Sequence, residues 1–361
     1  MRANLQIGHI GGINILVHWT FIFLIIWIVV SELYRGGDAT SILFNIIVLI
    51  GIFASIILHE LGHALVAKRF HIQTEKITLL PIGGMASFKR MPKSPKKEFL
   101  VSMAGPLVNL IIAIFLYYSI PVKVYFQMNF TEAFEFLMNF SLSSFLFYLF
   151  AANAVLFIFN LIPAFPMDGG RMLRALLAMK MSRIKATRIA TSVAHIIAVL
   201  FLFSGLLYNP FLVIIAIFIF FSAFAENQMV QQKALLKGHA VEEAMMINMT
   251  TLLPDDPIDI AVNHIIFGTE KNFIVVEDHQ VKGILYHKDI IDNSNKNLSV
   301  KEVMKTKFQL LKYSDNLVDA YNLIVNKKNA FIPVMKDDKL AGVIDATNLN
   351  EFLLLQAKLA Y

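Results

Sequence analysis

Five stretches of this chain carry no charged side chain for more than twenty residues: Ala3–Ser31, Ala39–His59, Leu100–Val122, Phe136–Met167 and Ile189–Ala225. A helix of about 20 apolar residues crosses the hydrocarbon of a bilayer, where every backbone group must find its partner within the protein. The last stretch is long enough for two helices, and Tyr208-Asn209-Pro210 is a natural break between them. The pattern predicts six spans, near residues 13–31, 41–66, 99–120, 138–160, 189–207 and 210–226. Composition agrees: 57% of residues are hydrophobic, 16% are charged and the mean hydropathy is +0.63. The apolar N-terminus has no small-residue cleavage site after it, so it does not read as a cleaved signal peptide.

Charge is unevenly placed. Residues 1–225 hold 17 Lys/Arg against 8 Asp/Glu, whereas residues 226–361 hold 15 against 18. In the apolar part the cations gather in two loops. The first runs from Lys68 to Lys97 and the second from Arg171 to Arg188, while the intervening loops offer Arg35 and Lys123. That asymmetry is the positive-inside signature of a multi-pass cell-membrane protein rather than a nucleic-acid footprint, and it predicts cytoplasmic N- and C-termini. The chain has no cysteine, so a metal site must draw on His, Asp or Glu.

The second uncharged stretch ends in HELGH, residues 59–63. An ionisable side chain at membrane depth is costly and points to function. Four residues apart on a helix, His59 and His63 share a face and can reach one ion, with Glu60 close enough to act as general base without ligating. Two imidazoles leave a catalytic zinc short of a third protein ligand. Asp168, in NLIPAFPMDGGR (residues 160–171), comes to the same depth from the end of the fourth span and supplies a carboxylate. Pro163 and Pro166 break the helix before it. Gly169 and Gly170 permit an irregular backbone, so Asp168 is expected on a turn with a helix restarting near Arg171. The alternative is an interfacial Asp that caps the next helix.

HELGH, Asn160-x-x-Pro163 leading to Asp168-Gly169, AGPLVN (Ala104 to Asn109) and PIGGMASF (residues 81–88) together resemble the site-2 protease family of intramembrane zinc metalloproteases. The resemblance runs over most of residues 10–225. It implies one zinc per chain held by His59, His63 and Asp168, with Glu60 as catalytic acid/base. It also implies that Asn160 helps to position the substrate or the tetrahedral intermediate. Residues 72–90 would form a β-hairpin whose edge engages an unwound membrane-protein substrate, with Gly83 and Gly84 allowing close backbone approach. A basic amphipathic loop on the headgroups is the other reading of that segment. Gly105 and Asn109 are read as helix-packing residues, as are His18 and His195, and His71 needs no special role.

Hydropathy changes at Glu226. After a linker at 227–239 the tail repeats itself: VEEAMM (from Val241) aligns with VKEVMK (from Val300), an offset of 59 residues, and GILYHKDI aligns with GVIDATNL. Each copy, about 240–297 and 298–361, reads as helix, short strand, amphipathic helix, two strands and helix. This resembles a tandem pair of cystathionine-β-synthase-type (CBS) domains, which implies a regulatory module that binds adenine nucleotides in the clefts between repeats. Asp289 matches the family's ribose-binding position. Neither copy keeps the accompanying hydroxyl, which leaves a purely structural or dimerising tail as the other reading.

The expected fold is therefore an α-helical polytopic membrane domain followed by a cytosolic α/β CBS module. The expected function is intramembrane proteolysis modulated by the tail. A CBS-gated transporter or channel and an inactive protease-like scaffold are the competing readings, and no inverted repeat among the spans favours transport.

Overall fold

The chain opens with a hairpin rather than a helix. In the computed structural model, which describes residues 4–81, 83–88, 94–129, 136, 140–294, 296–326 and 330–359, β1 (Asn4–Ile10) pairs antiparallel with β2 (Ile13–His18). Gly11 and Gly12 form the loop with φ of +62° and +93°, the left-handed pair a two-residue hairpin requires. The first expected span, 13–31, is thus corrected. Its opening residues form a strand whose Ile13 and Ile15 are buried, and what remains is a short 3-10 turn, Trp19–Phe21, and α1 (Ile22–Tyr34). An uncharged run reports apolarity, and here strand pairing decided the conformation. The Trp19–Tyr34 stretch rises about 24 Å, less than a hydrocarbon core of about 30 Å.

Five described helices are long and apolar enough to cross a membrane: α2 (Ala39–Arg69), α3 (Pro95–Ser119), α5 (Leu142–Leu161), α7 (Arg183–Leu207) and α8 (Pro210–Leu235). Between them lie β3 (Thr74–Leu80), β4 (Gly83–Phe88), α4 (Val122–Gln127) and α6 (Asp168–Ala178). The sheet order is β1-β2-β3-β4, with β2 parallel to β3 (Leu16 opposite Thr78) and β3 antiparallel to β4 (Leu79 opposite Gly84). The sheet sits on α2, where Ile13 and Ile77 pack against Leu61 and Ala64. Residues 82 and 89–93 of the expected hairpin and basic loop, and 138–139 of the fourth expected span, lie outside the described residues.

The helices are apolar outside and small or polar inside. Phe203, Phe211, Ile214 and Phe221 face outward, while Ala190, Ala194 and Ala198 of α7 pack on Ile219 and Ala223 of α8. Lipid gives no hydrophobic drive between helices, so close contact through small residues and buried hydrogen bonds holds them. Gly62 shows the tightness of the α2–α3 crossing: a Cβ there would lie 2.9 Å from the Ala104 carbonyl oxygen.

One ionic cluster joins four helices. Arg174 of α6, 2% exposed, donates from Nε to Glu98 of α3 at 2.9 Å and also pairs with Glu226 of α8. Arg183 of α7 approaches the other Glu98 oxygen at 3.0 Å.

The chain divides into two compact units, Met1–Asn227 and Gln228–Tyr361, and residues 228–235 continue α8. The described residues of the second unit form two three-stranded sheets. One is β5 (Thr251–Leu252), β6 (Phe273–Glu277) and β7 (Gln280–Leu285); the other is β8 (Leu311–Lys312), β9 (Phe331–Lys336) and β10 (Lys339–Asp345). Helices α9 (Ile258–Phe267), α10 (His287–Ile291), α11 (Val300–Val303), α12 (Leu317–Asn326) and α13 (Ala346–Leu359) complete it.

The copies exchange their leading segments. Met246 bridges to Val343, and the 59-residue offset turns that pair into Lys305 with Ile284, which also bridge. Accordingly Val241 and Ala244 pack with Leu311 and Val334 of the second copy, while Val300 and Val303 pack with Leu252 and Phe273 of the first.

Removing one partner of a buried ion pair leaves the other charge uncompensated. Glu98→Ala is therefore expected to destabilise the membrane unit by about 3–5 kcal/mol, read as the shift in its reversible unfolding in mixed micelles. A loss below about 1 kcal/mol would mean that the cluster behaves as a surface pair.

Candidate metal centre

The site begins with a long, well-started helix. Asp38 caps α2 by accepting from the Ser41 amide at 2.9 Å, and the helix then runs 31 residues to the basic Lys68-Arg69 end. His59 and His63 fall one turn apart on its face toward α3, each 6% exposed. Their Nε2 atoms are 3.1 Å apart. Asp168 Oδ2 lies 3.2 Å from His59 Nε2 and 3.0 Å from His63 Nε2. Ligands at 2.0–2.1 Å around tetrahedral zinc sit about 3.3 Å from one another, so the triangle fits zinc. It is the one His/Asp/Glu cluster of this kind among the described residues.

Proton placement strengthens that fit. His63 Nδ1 is 2.7 Å from the Val101 carbonyl oxygen, which only accepts, so Nδ1 carries the proton and Nε2 presents a lone pair. His59 Nδ1 is likewise paired with Asn109 Oδ1. Three acceptors therefore converge on one point with no proton between them, and a cation resolves the repulsion.

Asp168 differs from expectation in its setting. It is the first residue of α6, so the helix starts there rather than near Arg171. Gly169 and Gly170 are helical and serve close approach: a Cβ on Gly169 would meet the Ile162 carbonyl oxygen at 2.2 Å, and one on Gly170 would meet the backbone of Ala164 at 2.6 Å. The segment carrying Pro163 and Pro166 is non-helical, as predicted, and folds back beneath that first turn.

Gly105 and Asn109 require a larger correction. The sequence alone reads both as packing residues, yet a Cβ on Gly105 would stand 2.3 Å from His63 Nε2 and 2.6 Å from His59 Nε2, in the space a metal needs. Asn109, fully buried, meets His59 directly. The signal was in AGPLVN: Gly105 and Asn109 are four apart on one helix face, and an amide at membrane depth demands a partner.

Glu60 is half-buried beside the triad, and β4 lies against it. A Cβ on Gly84 would come within 2.9 Å of Glu60 Cγ. Gly83 serves differently, holding a φ of +136° with open space around it. β4 has no further strand partner among the described residues. Asn160, on the last turn of α5, donates its amide to the Leu156 carbonyl at 2.9 Å, a bond within its own helix. His18 caps the 3-10 turn through Thr20, and His195 stacks near Phe220; neither belongs to the triad. In the second unit Asp289 lies 3.3 Å from Lys305 Nζ.

Comparison with known proteins gives this geometry its context. Residues 47–204 match the family model described as peptidase family M50, and residues 300–355 match that of the CBS domain. A zinc metalloprotease of Methanocaldococcus jannaschii is 32% identical over 354 residues, 97% of this chain and 96% of its own length. The chain belongs to peptidase family M50. Stage IV sporulation protein FB of Bacillus subtilis is 28% identical over 165 residues, 45% of this chain and 49% of that protein. Among solved structures, a site-2 protease from Methanocaldococcus jannaschii is 38% identical, covering 62% of this chain and 95% of that one, with a TM-score of 0.44. As a member of family M50 the protein is a zinc metalloprotease, with a multi-pass membrane unit and a CBS tail.

The Gly105 contact generates a test. Gly105→Ala places a methyl where the ion would sit, so zinc in the detergent-purified M50 protein should fall from about one per chain to a small fraction of that by elemental analysis. Full occupancy in a folded Gly105→Ala protein would refute the geometry.

Proposed function

We propose that the protein is an intramembrane protease that hydrolyses a peptide bond within or near the transmembrane segment of a membrane-protein substrate, a step of regulated intramembrane proteolysis. The observation that carries this reading is the convergence of His59, His63 and Asp168 inside a unit of membrane-length helices, with Glu60 and a strand edge that has no partner among the described residues beside them. His59 Nε2, His63 Nε2 and Asp168 Oδ2 hold the zinc. When bound, the ion supplies Lewis acidity that activates water and polarises the scissile carbonyl.

The chain's own residues do the rest. The Glu60 carboxylate accepts a proton from the attacking water and delivers it to the leaving amide nitrogen. A helical substrate keeps its carbonyls in its own hydrogen bonds and must unwind before attack. The edge of β4 offers replacement backbone bonds, with Gly84 letting β4 lie close to Glu60 and Gly83 holding the left-handed turn into the strand. Asn160 turns its amide from Leu156 towards the substrate or the tetrahedral intermediate, at the end of the segment that delivers Asp168.

The basic loops at 68–97 and 171–188 face the cytosol in this reading, which places cleavage near the cytosolic end of the substrate helix. The position of the N-terminal strands supports that side for the N-terminus, since Ile13 packs by Leu61 and Ala64 beside HELGH. Glu226 supports the same side for the tail, because it pairs with Arg174 six residues beyond Asp168. The tail, residues 240–361, binds an adenine nucleotide between its repeats with Asp289 on the ribose, forms homodimers, and modulates cleavage.

Glu60→Gln should retain zinc while cleavage of a reconstituted transmembrane reporter falls at least about a hundredfold. Wild-type turnover in that variant would sink the mechanism. Removing the metal from the wild type with a chelator should abolish cleavage, and stoichiometric zinc should restore it; activity persisting in metal-free protein would exclude the hydrolase reading.

A further inference from the structure

The Asn109 contact with His59 is the end of a longer chain of hydrogen bonds through three helices. Asn109 Nδ2 donates to Asn153 Oδ1 at 2.8 Å. Asn153 Nδ2 donates to Ser55 Oγ at 3.0 Å and to the Leu149 carbonyl oxygen at 2.8 Å. Ser55 Oγ donates to the Gly51 carbonyl oxygen at 3.2 Å. Asn109 and Asn153 are fully buried and Ser55 is 5% exposed. The chain therefore links α3, α5 and two turns of α2 lying before the metal ligands.

Each link has a fixed direction, and the direction is set at the far end. A backbone carbonyl only accepts, so Gly51 takes the Ser55 hydroxyl proton and leaves the Ser55 oxygen free to accept. Both that oxygen and the Leu149 carbonyl require the NH2 side of Asn153. Asn153 Oδ1 must then face Asn109 and accept from its NH2. This turns Asn109 Oδ1 to His59, where it can only accept, so His59 carries its proton on Nδ1 and presents Nε2 bare to the triad. His63 reaches the same state through Val101 alone.

We propose that Ser55, Asn153 and Asn109 form a directional positioning relay that locks His59 in the tautomer and ring orientation that bind zinc. The inference rests on the zinc reading of the triad. The relay does the work of the carboxylate that often backs a zinc-bound histidine, without burying a second charge at membrane depth.

The test is zinc affinity, measured by competition with a chelator of known strength, in purified full-length protein. Asn109→Leu and Asn153→Leu keep side-chain size and lose polarity; each should weaken zinc binding about 10- to 100-fold. The visible spectrum of the cobalt-substituted protein should lose its tetrahedral intensity in parallel. Asn153→Asp is the rescue. A buried, neutral carboxylic acid accepts from Asn109 and donates to Leu149 or Ser55, so affinity should stay within about threefold of wild type. Ser55→Ala leaves Leu149 to orient Asn153 and should cost less than either leucine variant.

A packing role reverses the order, tolerating leucine and penalising the acid. Wild-type affinity in a folded leucine variant would overturn the relay while leaving the zinc site intact; either leucine variant suffices if the other does not fold. Equal loss in Asn153→Leu and Asn153→Asp would also overturn it. A wild type that binds no zinc would instead overturn the reading on which the relay rests.

Discussion

Lipid offers no hydrogen bonds, so every polar group inside the membrane unit must find its partner in protein. That constraint organises the unit. Its helices present Phe, Ile and Leu outward, and Ser55, His59, His63, Asn109, Asn153 and Asp168 join on one connected inner surface. The buried charges of Glu98, Arg174 and Arg183 are joined with Glu226 in one cluster, while Asp168 lies with two imidazoles at a point that a cation would balance.

Close approach is the second requirement, and glycine meets it at a few places with different neighbours. Gly62 lets α3 cross α2 at backbone distance. Gly105 keeps the space between the two imidazoles open, Gly84 lets β4 lie against Glu60, and Gly169 and Gly170 seat the first turn of α6 on the connection that carries Pro163. Each removes a Cβ where a side chain would push apart the elements that form the triad. The site is thus a packing result as much as a choice of ligands.

The second unit follows a different logic. Its repeats are alike in sequence, but neither completes its own core: residues 241–244 fill the second copy and 300–303 fill the first. The exchange gives the pair an approximate two-fold relation, visible in the matching bridges Met246–Val343 and Ile284–Lys305. Adenine-nucleotide modulation through such a pair is a reading of the fold's symmetry and of Asp289, distinct from the chemistry of the membrane unit.

Much was legible in the sequence because the relevant physics is local. Uncharged runs mark membrane helices, a four-residue spacing puts His59 and His63 on one face, prolines interrupt the chain before Asp168, and a 59-residue offset marks the duplicated tail. Sequence could not tell that Ile13–His18 would leave the first apolar run to pair with β3, since strand pairing depends on a partner some sixty residues away. Nor could it assign Asn109, whose role exists only because α3 brings it to His59 and α5 brings Asn153 to it. Residue types and their periods determined which groups could bind a metal and which segments could enter a membrane. Distances between segments decided which groups meet, because hydrogen bonds and ligand geometry act over about 3 Å and only the folded chain sets contacts at that scale.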